Sequence, residues 1–230
     1  MSTIRETIIG NIVTQLKYIK TLYGYNNNFD DTKILRGRNQ AHESGLPCIL
    51  VLPGTETITK QYSTAIHEME VNIAAYKEIT SSQNASIVSE VLLGDLIINI
   101  FGPVFEIDFT LGNNAISAGD TITGKVSGAT AIVTDVTLNG GTWATGNAYG
   151  TLNLRYQTGN FQAELIQVSG IDSATIAGDS TRTYPYGTSV GQVLYNTAGI
   201  QQYPDPGEKI IEVILNIRVQ YTTAFDNPYI

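Results

Sequence analysis

The strongest pattern in the chain is an alternation near its C-terminal end. In KIIEVILNIRVQYT (residues 209–222), Ile211, Val213, Leu215, Ile217, Val219 and Tyr221 are apolar, and Glu212, Ile214, Asn216, Arg218 and Gln220 between them are mostly polar. A period of two predicts a strand with one buried and one wetter face. At about 3.3 Å per residue it spans roughly 35 Å, so it needs partners along its whole length. Residues 65–77 alternate too, with Ala65, Met69, Val71, Ile73 and Ala75 on one face and Glu68, Glu70, Asn72 and Tyr76 on the other. Residues 47–52 form a continuous apolar run ended by Pro53-Gly54, which fits a strand covered on both faces. Residues 190–200 resume moderately apolar text and supply a fourth strand.

Two stretches carry helical spacing instead. Ile4, Ile8, Ile12, Leu16 and Ile19 recur on one face, Thr3 and Glu6 fit a capping box, and Gly24 closes the segment. A second helix is predicted over residues 84–101, with a stripe of Ile87, Val91, Ile98 and Phe101 widened by Val88, Leu92 and Leu96 and stopped by Gly102-Pro103. After Pro103 the texture changes. Residues 105–180 are rich in Gly, Thr, Ser, Ala and Asn, and short strand runs alternate with turn signals such as Asn139-Gly140-Gly141.

These elements predict an α+β fold: a mostly antiparallel four-stranded sheet with two helices on one face, plus an inserted small all-β domain, sandwich or barrel. The α+β domain takes residues 1–103 and 186–230, and the insertion takes residues 104–185. The expected core includes Ile8, Ile12, Leu16, Val71, Ile73, Val91, Ile98, Leu215, Ile217 and Val219.

Charge and candidate chemistry narrow the function. The net charge of −8 argues against tight nonspecific nucleic-acid binding, which relies on Lys and Arg at phosphates. No apolar run approaches the roughly 20 residues a membrane span needs, and no signal peptide is expected. The single cysteine, Cys48, lies in LPCILVL and reads as a small buried hydrophobe. His67 falls on an apolar strand face and reads as a hydrogen-bonded core or rim residue, and His42 has no metal-spaced neighbour. No nucleophile elbow, P-loop or H-E-x-x-H occurs, so no enzyme and no cofactor are expected. Asp108, Asp120 and Asp135 could pair as carboxylates, but turn-like neighbours favour solvated turn residues. Lys33, Arg36 and Arg38 form the most basic patch.

The amphipathic first helix, AIHEMEVNIAAYKE, SIVSEVLLGDLIINIFG and the ending IEVILNIRVQYTTAFDNPY together resemble the tail-terminator and tail-completion proteins of long-tailed bacteriophages. AGDTITGKVSGATAIVTDV is similar to Gly-rich β modules of phage structural proteins. The resemblance implies a virion protein, assembled in the host cytoplasm and sited at the tail end or head–tail junction. It would form a homo-oligomeric ring, a hexamer, contact other tail and neck proteins, and leave a channel that DNA crosses without tight binding. On that reading Glu68, Glu70 and Glu212, on polar strand faces, are candidates for the channel lining. Lys33, Arg36, Arg38, Phe225 and Tyr229 are candidates for contacts between subunits. An alternative stays open: a tail or baseplate binding module whose β insertion recognises a carbohydrate or receptor through Trp143, Tyr149, Tyr156 and Phe161.

Overall fold

The computed structural model describes residues 3–37, 45–197, 200–202 and 209–224. Its elements in chain order are α1 (Ile4–Leu16), β1 (Ile34–Arg36), β2 (Cys48–Gln61), β3 (Thr64–Glu78) and α2 (Ala85–Phe101). They continue with β4 (Val104–Gly112), β5 (Thr121–Gly124), β6 (Thr130–Gly140), β7 (Ala148–Thr158), β8 (Glu164–Val168), β9 (Ile171–Ile176), β10 (Thr181–Thr183), β11 (Val190–Tyr195), β12 (Ile200–Gln202) and β13 (Ile210–Ala224). The chain divides into two compact units, one of Met1–Lys20, Asn26–Phe101 and Pro185–Ile230, the other of Thr21–Tyr25 and Gly102–Tyr184. Among the described residues, no helix is long and apolar enough to cross a membrane.

The first unit is organised around β13, which pairs antiparallel with β3 from Ile210↔Glu78 to Ala224↔Thr64 without a break in register. The sheet runs β1-β2-β3-β13-β11, and β12 also pairs with β13. Because side chains alternate, one face collects Met69, Val71, Ile73, Val213, Leu215, Ile217 and Val219, all fully buried. The helices pack on this face: α2 lies against β13, α1 lies against β1 and β2, and Asn99 of α2 donates to the Gln15 carbonyl of α1 at 2.9 Å. Thr3 caps α1 by accepting the Glu6 N–H at 3.1 Å. Burying each of these aliphatic side chains contributes about 1.5–3 kcal/mol.

The expected α+β class with a four-stranded sheet is overturned. The protein is mostly β, with a six-stranded and a seven-stranded sheet and two α-helices. Short edge strands account for much of the difference, since β1 and β12 have three residues each, too few to show a period. Pro53-Gly54 does not end β2. The strand absorbs them in a bulge between Pro53 and Glu56 and resumes pairing with β3 to Gln61.

Helix α2 also turns a different face inward from the one expected. Val91 and Ile98, assigned to the core, are 38% and 41% exposed, and Ile87 is 62% exposed. The buried side is Ser89, Leu92, Asp95, Leu96, Asn99 and Ile100. Three of those six are polar. A hydrophobicity pattern cannot find a face that buries polar residues such as Asp95 and Asn99 through hydrogen bonds to other elements. Asp95, 1% exposed, accepts the N–H groups of Asn26 and Asn27 and both of their side-chain amides, at 2.7–3.2 Å. Helix α1 ends at Leu16 rather than near Gly24, and a short 3₁₀ turn occupies Thr21–Tyr23.

In the second unit the sheet order is β10-β4-β7-β6-β5-β8-β9, and β9 pairs back onto β4. The sheet therefore closes into a barrel, which leaves β4–β9 without an open edge, and β10 is appended to β4. Phe109, Ile122, Val133, Leu152, Leu154, Phe161 and Ile166 fill it. The β6–β7 pairing needs glycine at Gly150, where a Cβ would stand 2.0 Å from the Thr137 carbonyl oxygen. Glu164 ties down the β5–β6 turn by accepting the Val126 and Ser127 N–H groups at 2.5 and 2.9 Å and the Ser127 hydroxyl at 2.5 Å. Tyr25 belongs to this unit, with its hydroxyl accepting from Arg155 at 2.9 Å.

Candidate functional site

Two polar constellations lie on the first sheet, one on each face. On the face opposite the helices, the β3–β13 register sets Glu68 beside Gln220, Glu70 beside Arg218, Asn72 beside Asn216 and Tyr76 beside Glu212. The three glutamates named from the sequence thus share one sheet face, as strand alternation requires. Each also has a partner within the chain. Glu68 lies 3.6 Å from Arg218, Glu70 accepts from Thr55 at 3.1 Å, and Glu212 accepts from the Tyr76 hydroxyl at 2.5 Å. Arg218 also donates to Asn196 at 3.1 Å. Burial and the nearby Glu212 carboxylate push the Tyr76 phenol far above its ordinary range. At one end this face turns apolar, with Cys48, Leu50 and Ala74 buried among Leu35, Leu52 and Ile214. Burial pushes the Cys48 thiol up, away from the reactive thiolate.

On the helix-covered face, at the start of β3, stands a cluster that the sequence does not announce. His67 Nδ1 is 2.7 Å from Glu56 Oε1, and His67 Nε2 is 2.9 Å from the Thr223 hydroxyl. Tyr221 stacks on the imidazole, with ring centres 4.6 Å apart and planes 13° apart, and donates its hydroxyl to Glu56 at 2.5 Å. Arg5, on α1, donates to Glu56 Oε2 at 3.0 Å and to the Gly54 carbonyl at 3.2 Å. Burial alone would raise the Glu56 pKa, but the Tyr221 and His67 hydrogen bonds and the Arg5 charge outweigh it and hold the carboxyl below its ordinary value.

The order Thr223–His67–Glu56 has the connectivity of a nucleophile, base and orienting acid. Its surroundings fit a different job. Thr223 and His67 are 6% and 8% exposed, and both carboxylate oxygens of Glu56 are already engaged within the chain. The cluster joins α1, β2, β3 and β13, and it works as a polar clasp. Glu56 was hidden in the sequence because the bulge after Pro53 decides which way it points.

The other candidates scatter. Arg36 bonds to Glu6, whose pKa is lowered chiefly by that hydrogen bond, and Lys33 ends a 3₁₀ turn. Arg38, His42, Phe225 and Tyr229 lie outside the described residues. Asp108 accepts from Thr151 at 2.7 Å and Asp120 accepts the Ser117 N–H at 2.7 Å, while Asp135 pairs in register with Asn153. Asp120 caps its own turn and is not drawn to the other two. Of the four aromatics weighed for sugar stacking, Phe161 is buried in the barrel and Trp143 stacks on Phe109 with ring centres 5.1 Å apart. Tyr149 and Tyr156 are 47% and 37% exposed. Among the described residues, no group of three or more His, Cys, Asp or Glu side chains could hold a metal ion. No protein-family model matches the chain, and no curated protein is similar to it in sequence.

Proposed function

We propose that the protein is a structural component of a bacteriophage particle, a homo-oligomeric ring at the tail end or head–tail neck through which DNA passes. The observation that carries this reading is the division of labour between the two faces of the first sheet. One face is sealed by α1 and α2, and the other is a broad hydrophilic surface of Glu68, Glu70, Asn72, Asn216, Arg218 and Gln220 with no helix across it among the described residues. A surface of that kind suits the wall of an aqueous passage, and its excess of carboxylates over cations keeps phosphates from sticking. The resemblance of the helices and the β13 ending to tail-terminator and tail-completion proteins supports the same reading, and the barrel unit is then an elaboration on the ring. No catalysis and no cofactor are part of it. Electron microscopy of the purified protein tests it. Closed rings with an axial opening are expected; single globules at all concentrations, or absence of the chain from the parent particle, overturn it.

A further inference from the structure

We infer that copies of this chain join head to tail by strand pairing, the open edge of β11 in one copy adding to the open edge of β2 in the next. The inference rests on the ring reading and supplies its contact. Among the described residues, no strand lies on the outer side of β11, and β1 covers β2 only from Ile49 to Val51. Among the described residues, no strand pairs with the outer edge of β2 at residues 55–59.

Soluble proteins protect such edges with charge or proline, or by covering them. Here β11, VGQVLY, carries neither charge nor proline, and its Leu194 is 43% exposed. The β2 edge carries TETITKQ, a run rich in β-branched residues in which Ile58 is 60% exposed, and its exposed charge, Lys60, lies near the turn at the end of the strand. Its acid, Glu56, is turned inward to Arg5 and His67.

Strand direction makes a second copy the natural occupant. Each neighbour in β2-β3-β13-β11 is antiparallel, so β2 and β11 run in opposite directions. Copies related by rotation about an axis along the strands then bring β11 and β2 together antiparallel, and the alternation continues unbroken around a closed ring. The faces agree as well. Ile58 lies opposite His67 and Val193 lies opposite Val219, so both belong to the helix-covered face and meet across the junction. The polar face of Glu68 and Glu70 then continues from copy to copy.

The backbone groups available for this contact can be placed. The Asn196 N–H donates to the Asn216 carbonyl at 3.1 Å, so alternation along β11 turns the Val193 N–H away from β13. On β2, the two-residue turn closes at Gln61↔Thr64, and the same alternation turns the Ile58 N–H away from β3. Proline at an outward edge position removes the donor without breaking the sheet behind it.

The test is light scattering on the purified full chain and on Val193→Pro and Ile58→Pro, with circular dichroism and melting as checks of the fold. The wild type is expected at a multiple of 24.9 kDa and each variant as a folded monomer. Mixing the two variants leaves one intact edge on each, so a heterodimer of twice 24.9 kDa is expected and nothing larger. If both variants assemble like the wild type, edge pairing is overturned while the ring reading stands. If only Val193→Pro dissociates, the contact is β11 on β11 and the head-to-tail inference is overturned. A wild type that is monomeric at every concentration overturns the ring and this contact together. Should either proline variant fail to fold, Leu194→Lys and Thr57→Lys place charge on the same two edges and carry the same expectations.

Discussion

Glu56 and His67 face each other across β2 and β3 with Oε1 and Nδ1 2.7 Å apart, and through them four elements are tied together. Glu56→Ala leaves Arg5, His67 and the Tyr221 hydroxyl without their shared acceptor. We expect a loss of about 2–4 kcal/mol at neutral pH, read by urea unfolding. The sign of the pH dependence follows from the depressed Glu56 pKa. Its stabilisation is present above the ordinary carboxyl value of 4.5 and is lost as pH falls through the lower folded value. Glu56→Gln should therefore flatten the stability profile below pH 4.5. An unchanged acid limb would show that Glu56 does not drive it.

Asp95 should matter as much, although it lies inside a helix that reads as apolar. It accepts the backbone N–H groups of Asn26 and Asn27 while 1% exposed, and Lys77 braces Asn27 at 2.6 Å. Asp95→Ala strands those donors and should cost about 2–4 kcal/mol by chemical denaturation. A change below half a kcal/mol would mean that water replaces the carboxylate freely.

What the sequence revealed, and what it concealed, follows one rule. The strands β3 and β13 were legible because a two-residue period written over a long run admits one face assignment. So was the placement of Glu68, Glu70 and Glu212 on polar strand faces, while the register with β13 puts them on one sheet face. The α2 face was not legible, because Asp95 and Asn99 are buried by virtue of partners far away in sequence. The His67 cluster was half legible. The histidine's place on a buried face could be read, but its partners Glu56 and Thr223 depend on a bulge and on register with β13.

A pair of charge insertions separates the two assignments for α2 and β13. Leu215→Asp puts an unpaired carboxylate at a fully buried position and should abolish soluble expression. Val91→Lys, on the exposed side of α2, should change stability by no more than about 0.5 kcal/mol. If Val91→Lys instead unfolds the protein, the face of α2 is wrong.

Excising the barrel needs one compensation. Thr21–Tyr25 belongs to the same unit as Gly102–Tyr184, and Tyr25, 4% exposed, sets its ring edge-on to Tyr156 with centres 5.8 Å apart. Replacing residues 102–184 with a Gly/Ser linker strands that aromatic in water. We expect the shortened chain to aggregate and the same chain carrying Tyr25→Ser to remain folded, judged by hydrogen exchange of β3 and β13. Loss of protection in both versions would show that the barrel shares the core of the first unit.

The last prediction concerns DNA. Phosphates are held by Lys and Arg through counterion release, so a passage that must let a duplex slide needs few of them on its wall. The proposed wall carries Glu68, Glu70 and Glu212 against one cation, Arg218, which already lies against Glu68 and donates to Asn196. With a net charge of −8 per chain, a six-fold ring would carry about −48, although salt confines the repulsion to about 8–10 Å at physiological strength. Wild-type rings should therefore bind duplex DNA weakly, with little change between about 50 and 200 mM salt. The double substitution Glu68→Lys and Glu70→Lys reverses the sign of the wall by adding four charges per chain, two at each site. Its rings should retain DNA at low salt and release it steeply as salt rises. Two results would count against this wall. One is tight, salt-dependent binding by the wild type, which would return attention to the basic stretch that includes Lys33 and Arg36. The other is a double variant that behaves like the wild type, which would place Glu68 and Glu70 away from the passage.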